Sequence, residues 1–259
     1  MTEILHSKIY GEEKGGIPLL VFHGLFGMLD NWGTFGKEAS DFFPVHLIDL
    51  RNHGKSFRAN EMDYLSMAND IAKYMESHHI EKANILGHSL GGKAGIQFSL
   101  NFGKKVNKLI VVDIAPKGYP PHHQEVFYAL DKVDPSKAKS RKEIKEKLSL
   151  YISDKGTVQF LSKNLYRNED QILHWRFNLD ILRERYNDFI SKGIYEGIYE
   201  GSTLFLKGER SHYILPEDFP EIKKRFPKAE IVSVKNSGHW VQVDNYIDFK
   251  TAVFSFLLA

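Results

Sequence analysis

Short apolar runs recur along the chain, and most end abruptly at glycine, aspartate, asparagine or histidine. Their unbroken apolar character is typical of strands buried on both faces of a parallel sheet. The predicted strands are residues 17–22, 45–50, 83–86, 109–112, 202–206 and 230–234. Apolar residues at helical spacing predict helices over residues 64–78, 92–102 and 246–258. Because strands alternate with helices, the pattern predicts an α/β fold with a doubly wound sheet.

The alternation stops between residues 118 and 195, where no buried strand is evident and the pattern is helical. The predicted helices of this stretch are residues 124–132, 140–151, 157–163 and 175–191. A strand pattern resumes at residue 202, so one sheet interrupted by a helical insertion explains the whole chain. We therefore expect a core domain formed by residues 1–117 and 196–259, with residues 118–195 as a helical cap that acts as a lid.

Charge and cysteine content narrow the classes of partner. The 259 residues include 35 Lys and Arg against 33 Asp and Glu, a net charge of +2 with the two signs interspersed, which does not favour a nucleic-acid partner. The absence of cysteine excludes disulfides, thiolate metal sites and a cysteine nucleophile. Without a secretory signal pattern or an apolar run long enough to span a bilayer, we expect a cytoplasmic protein with no membrane span. The sequence leaves the oligomeric state open.

The most informative motif is Gly87-His88-Ser89-Leu90-Gly91, which follows an apolar run directly and precedes a helical one. A G-x-S-x-G motif in this strand-turn-helix context predicts a nucleophile elbow. The sharp turn strains the serine backbone, and close packing of strand and helix leaves no room for side chains at the glycines. Ser89 is therefore the expected nucleophile, placed at a helix N-terminus where free amides favour negative charge.

Four segments together carry a family resemblance. They are His23-Gly24-Leu25-Phe26-Gly27, Arg51-Asn52-His53-Gly54-Lys55-Ser56, Gly87-His88-Ser89-Leu90-Gly91-Gly92-Lys93 and Val112-Asp113-Ile114-Ala115-Pro116. The chain resembles the α/β-hydrolase fold family over nearly all of its length outside the insertion, and within that family the small bacterial YbfF-type acyl esterases. The resemblance implies a mostly parallel twisted sheet flanked by helices. It also implies small-molecule acyl ester substrates, with acyl-CoA thioesters as a further class, and no metal or organic cofactor.

The resemblance also implies an oxyanion hole made by two backbone amides. One is the amide after the nucleophile, Leu90, and the other is that of Leu25, with the neighbouring Phe26 as the alternative. His23 is expected to brace this loop instead of taking part in the chemistry. Asn52 stands where many family members have glycine. We expect the turn to survive because asparagine tolerates a positive φ.

The base is expected near the C-terminus, since the triad order of this fold is serine, then Asp or Glu, then histidine. His239 follows the last predicted strand and precedes the final helix, in the family position. His212 is the rival because it also follows a strand, although it lies nearer the usual position of the acid.

The acid departs from the common pattern of the family, in which an aspartate follows the penultimate strand. The corresponding residue here is Ser211, and a serine cannot carry the negative charge that stabilises an imidazolium. The YbfF-type enzymes place the acid after the preceding strand, and Asp113 matches that motif. We expect Asp113 to be the acid and retain Glu209 as the alternative.

The insertion is rich in aromatic residues, most of which are expected to form its own small core. The candidates for contact with substrate are Phe127, Tyr128, Phe160 and Trp175. An apolar wall suits an acyl chain better than a sugar or a peptide. A cofactor-free perhydrolase, a carbon–carbon bond hydrolase and a non-catalytic ligand-binding relative are the alternatives. Ser89 argues against the aspartate-nucleophile enzymes of the same fold.

Overall fold

A seven-stranded sheet forms the centre of the computed structural model, which describes residues 3–259. The sheet strands are β1 (Ser7–Tyr10), β2 (Leu19–Phe22), β3 (Val45–Ile48), β4 (Ala83–His88), β5 (Val106–Val112), β8 (Ser202–Gly208) and β9 (Ala229–Val234), and β6 (Leu165–Arg167) and β7 (Leu173–Trp175) form a separate hairpin. The strand order in the sheet is β1-β3-β2-β4-β5-β8-β9. Among the strands of this sheet in residues 3–259, only β1 pairs antiparallel, with β3, so the predicted mostly parallel α/β sheet is confirmed.

The helices cover both faces of the sheet and fill the inserted segment. They are α1 (Gly33–Ala39), α2 (Tyr64–Ser77), α3 (Leu90–Asn101), α4 (Gln124–Lys132), α5 (Arg141–Leu148), α6 (Lys155–Lys163), α7 (Leu179–Ile190), α8 (Phe219–Arg225), α9 (Val241–Asp244) and α10 (Tyr246–Leu258). On one face, α1 and α10 bury Phe35 and Phe249 against the strands, with the two rings 5.6 Å apart. On the other face, α2, α3 and the inserted segment share a single larger core.

The strand ends place several loops at one edge of the sheet. Phe22 at the end of β2 pairs with Gly87 of β4, and His88 pairs with Val112 at the end of β5. Val112 in turn pairs with Leu206 of β8. Because parallel strands end at the same edge, the loops after β2, β4, β5 and β8 are neighbours.

Two features of the fold differ from the sequence prediction. Strand β1 was not predicted, since only part of its surface is buried at the sheet edge and its residues mix polar with apolar character. The segment 118–195, predicted to be a helical insertion without a buried strand, contains the antiparallel hairpin β6–β7. Its apolar residues Leu165, Leu173 and Trp175 are buried, and helix α7 begins at Leu179 instead of residue 175.

Over residues 3–259, no helix is both long enough and apolar enough to cross a lipid bilayer.

Candidate active site

Ser89 lies at a strained turn between β4 and α3. Its φ of 51° and ψ of −115° fall in a backbone region that residues other than glycine rarely adopt. A Cβ on Gly87 would lie 2.2 Å from the carbonyl oxygen of Gly91, and one on Gly91 would lie 2.6 Å from the carbonyl oxygen of His23. Both glycines are therefore required sterically, as the elbow motif predicts. Within residues 3–259 the Ser89 hydroxyl has no hydrogen-bond partner.

The loop after β2 packs closely beside Ser89. A Cβ on Gly24 would lie 2.9 Å from Nδ1 of His88 and 3.3 Å from Cβ of Ser89, so glycine permits this approach. The amide of Phe26 donates to Nε2 of His53 at 3.2 Å. In the described part of the chain, the amides of Leu25 and Leu90 donate to no backbone or side-chain acceptor.

His23 braces the base of this loop. It is buried, its Nδ1 donates to the carbonyl oxygen of Gly24 at 2.8 Å, and its Nε2 accepts from the amide of Leu50 at 3.0 Å. Burial lowers the pKa of His23, which keeps the ring neutral. Both ring nitrogens are engaged within the protein, so the geometry fits the structural role expected for this histidine.

Asp113 and His239 form a hydrogen-bonded pair at this edge of the sheet. Nδ1 of His239 lies 2.8 Å from Oδ2 of Asp113, which is completely buried. The carboxylate also accepts from the amide of Gly208 at 2.9 Å and from the hydroxyl of Ser211. A buried carboxylate is costly unless it is paired and hydrogen-bonded, and three donors compensate this one. The arrangement fixes the orientation of the His239 ring and leaves its Nε2 available.

The rival candidates for acid and base lie elsewhere. The carboxylate of Glu209 accepts from the amide of Asn236 at 2.9 Å, in an exposed position. His212 is exposed at the surface, and within residues 3–259 it is not among the hydrogen-bond partners of the Asp113 carboxylate. The structure therefore brings together the expected pair, Asp113 and His239, and not their alternatives.

Two aromatic neighbours hold the imidazole of His239 in place. The ring of Tyr213 stacks on it at 3.9 Å with an interplanar angle of 17°. On another side lies His88, 4.7 Å away, whose Nε2 donates to the carbonyl oxygen of His239 at 2.8 Å. Burial, and then the nearby charge of His239, lowers the pKa of His88 to about 3, so this neighbour remains neutral. Sequence reasoning did not identify Tyr213, because its position in a loop carries no periodic signal.

Ser89 and His239 line one cavity of about 120 Å³. Its walls come from the loop after β2, from Trp240, and from residues of the inserted segment, which are His123, Val126, Thr157, Phe160 and Leu161. A second, smaller cavity also reaches Ser89, on the side of Leu90 and Lys93.

The four predicted substrate-contact aromatics occupy three different environments. Phe160 lines the main cavity and packs on Trp240 at 4.4 Å. Phe127 and Trp175 are buried in the core that the segment shares with α2 and α3, and not in a small core of its own as expected; the ring centroids of Phe127 and Phe26 are 5.3 Å apart. Tyr128 is 55% exposed on the outer side of α4. Since these positions follow from helix direction and the long-range fold, composition alone could not separate them.

Asn52 adopts the positive φ of 63° expected for its turn. Its carbonyl oxygen also accepts from the amide of Asn178 at 2.8 Å, and the two side chains are hydrogen-bonded at 3.1 Å. Asn52 therefore connects the core to the inserted segment, a contact that the sequence could not reveal because the two residues are 126 positions apart.

Comparison with known proteins agrees with the observed fold. A family model described as the alpha/beta hydrolase fold matches residues 17–150. The esterase YbfF of Escherichia coli (strain K12) is 32% identical over 230 residues, which cover 88% of this chain and 87% of that protein. The sn-1-specific diacylglycerol lipase ABHD11 of Mus musculus is 35% identical over 252 residues, covering 93% and 81%. The solved structure of a marine microorganism esterase has a TM-score of 0.94 and 40% identity, covering 98% of this chain and all of that one.

These similarities support an ester-hydrolysing hydrolase and extend across nearly the full sheet and the inserted segment. They agree with the fold described above. The chain therefore belongs to the α/β-hydrolase fold family, with the esterase YbfF among its relatives.

Proposed function

We propose that this protein is a serine esterase that hydrolyses carboxylic esters through an acyl-enzyme on Ser89. The observation that carries the proposal is the 2.8 Å hydrogen bond between Asp113 and His239 at the wall of the cavity that Ser89 lines. An imidazole oriented by a buried carboxylate is suited to take a proton from a serine hydroxyl.

Each residue has one role in the proposed mechanism. Nε2 of His239 takes the proton as Oγ of Ser89 attacks the acyl carbon, and the imidazolium then returns that proton to the leaving alcohol. Water attacks the resulting acyl-enzyme, with His239 again as the base, and releases the acid. Asp113 holds the tautomer with the proton on Nδ1 and stabilises the imidazolium.

Leu25 and Leu90 are proposed to supply the oxyanion-hole amides. Their N–H groups have no partner in the described chain, whereas the amide of Phe26 already donates to His53, which favours Leu25 over its neighbour. Leu90 is the first residue of α3, and the free amides at a helix N-terminus favour a negative charge. Each such donor lowers the barrier by about 3–4 kcal/mol.

Residues 118–195 are proposed to be the cap domain, with residues 1–117 and 196–259 as the catalytic core. Supporting this division, His123 and Phe160 of the segment line the cavity at Ser89. The lining includes Leu25, Phe26, Leu161 and Trp240, which suits an acyl chain. Carboxylic esters are the proposed substrates and acyl-CoA thioesters a second class for the same chemistry. The relatives' names do not favour a perhydrolase, a carbon–carbon bond hydrolase or a binding-only role.

Hydrolysis of p-nitrophenyl esters from acetate to palmitate tests the proposal, with the Ser89→Ala protein as the control. We expect the wild-type protein to turn over part of the series and the variant to lose at least about 10³-fold of that rate. The chain-length optimum reports the depth of the acyl site, and butyryl-CoA in parallel reports thioester cleavage. Equal rates in the two proteins would contradict the serine mechanism.

A further inference from the structure

His123 connects the inserted segment to the reaction centre. It is the residue before α4, and it lines both the main cavity and the smaller cavity, which meet at Ser89. The ring of Phe26 packs against its edge at 6.5 Å and 80°. The imidazole of His123 therefore lies beside both cavities at Ser89, where an ester that reacts with Ser89 would be bound.

The hydroxyl of Tyr186 fixes the tautomer of this imidazole. It accepts from the backbone amides of His122 and His123, each at 3.2 Å. A hydroxyl that accepts twice has its own proton left to donate, and Nδ1 of His123 lies 2.5 Å away. Nδ1 is thus the acceptor, and the ring proton is on Nε2.

Nε2 of His123 has no hydrogen-bond partner within residues 3–259, although the rest of the side chain is held from both sides. Burial, followed by the charges of His122 and His239, lowers the pKa of His123 to about 3. The ring is consequently neutral at neutral pH, with one N–H on the edge opposite Tyr186. His123 is only partly buried and Nε2 is not among the fully buried unpaired atoms of residues 3–259, so this N–H is accessible and free to bond to a ligand in the cavities that His123 lines.

We propose that Nε2–H of His123 donates a hydrogen bond to a second oxygen atom of the substrate, and that the protein prefers esters with an acceptor oxygen close to the scissile bond. This inference rests on the proposed esterase function and deepens it. The acceptor can belong to the acyl arm or to the alcohol arm, because His123 lines both cavities. His123 is then a specificity residue, and Tyr186 is a positioning residue that acts through it.

Isosteric ester pairs test the proposal. Butyl butanoate is compared with butyl methoxyacetate, which replaces one CH₂ of the acyl arm by oxygen, and with 2-methoxyethyl butanoate, which makes the same replacement in the alcohol arm. The measurement is the ratio of kcat/KM for each oxygen-containing ester to that for butyl butanoate. Intrinsic reactivity differs between the esters, but it cancels when these ratios are compared between variants.

In His123→Phe we expect one of the two ratios to fall about five- to tenfold, the usual effect of one neutral hydrogen bond. His123→Gln keeps an N–H donor and is expected to retain most of the ratio. Tyr186→Phe keeps the ring packing but frees the tautomer, so its ratio should be intermediate. Tyr128→Phe removes a hydroxyl from the exposed side of α4, the helix that follows His123, and should leave both ratios unchanged.

The arm whose ratio falls identifies the location of the acceptor oxygen. If both ratios are unchanged in His123→Phe and the cleavage of butyl butanoate still depends on Ser89, this inference alone is overturned. If the wild-type protein cleaves p-nitrophenyl esters but none of these three esters, the inference alone is overturned. If it cleaves neither set, the proposed function fails and the inference fails with it.

Discussion

The loops after β5 and β8 follow neighbouring parallel strands, yet they contribute different groups to the Asp113–His239 pair. The first loop begins with Asp113, whose carboxylate bonds directly to His239 at 2.8 Å. The second contains Ser211, which the common family pattern would make the acid, and its hydroxyl donates to the same Oδ2 of Asp113. One loop therefore provides the charge and the other provides a donor to that charge.

In the proposed mechanism, the acid comes from the loop after β5, and the position that is usual for the acid contributes a hydrogen-bond donor instead. Oγ of Ser211 accepts from the amide of Tyr213 at 3.2 Å while donating to Asp113, so the second loop positions the carboxylate. The same loop carries the Tyr213 ring that stacks on His239. Both loops therefore position the imidazole of His239, and we expect variants in either loop to disturb its orientation.

The largest expected effect follows from removing the charge. Asp113→Asn keeps the shape of the side chain but cannot stabilise an imidazolium, and it disturbs the Nδ1–H tautomer of His239. We expect kcat for a p-nitrophenyl ester to fall by a factor on the order of 10⁴. Circular dichroism is the control for folding, since Asp113 is fully buried. A loss smaller than tenfold would show that another residue acts as the acid.

Moving the carboxylate between the loops tests whether the two positions are interchangeable. Asp113→Ser combined with Ser211→Asp exchanges the two groups, whose side chains are already in contact. The exchange is expected to recover about ten- to a hundredfold of kcat relative to Asp113→Ser alone, since contacting residues are non-additive. No recovery in a folded double variant would show that only the loop after β5 can direct a carboxylate at His239.

Removing the aromatic stack should have a smaller effect. Tyr213→Ala exposes one face of the His239 ring, which Tyr213 covers at 3.9 Å. Such pairs contribute about 0.5–1.5 kcal/mol, so kcat should fall about three- to tenfold. Tyr213→Phe keeps the ring and loses only the hydroxyl bond to His122, and it serves as the matched control. Equal losses in both variants would assign the effect to the hydroxyl.

The smallest effect on rate is expected from the supporting hydroxyl. Ser211→Ala removes one of three donors to the Asp113 carboxylate. A hydrogen bond to a charged group contributes about 1.5–3 kcal/mol, so the free energy of unfolding in urea should fall by that amount. The direct bond from His239 remains, and kcat should fall only about threefold. Ser211→Thr keeps the hydroxyl. If it lowers the free energy of unfolding as much as Ser211→Ala does, the role assigned to this hydroxyl is wrong.

Sequence reasoning predicted the centre of the sheet well because β2, β3 and β4 are buried along their whole length and are therefore largely apolar. It missed β1, which lies at the sheet edge, and the hairpin β6–β7, whose three-residue strands are too short to show a period. The elbow at Ser89 was predictable because its strain is local and requires Gly87 and Gly91.

Other parts of the site depend on contacts that no local pattern encodes. The bond from Ser211 to Asp113 spans 98 positions, and that from Tyr186 to His123 spans 63. The separation of Phe160, at the cavity, from the exposed Tyr128 depends on how α4 and α6 pack on the core. From residue type alone, both aromatic residues were equally good candidates for contact with the substrate.

The most direct test of the central claim is the intact mass of the protein after reaction with an activated alkyl phosphonate, followed by peptide mapping. The account predicts one adduct on Ser89 of the wild-type protein, none on Ser89→Ala, and slow formation on Asp113→Asn. An unmodified wild-type protein, or an adduct that maps to another residue, would contradict it.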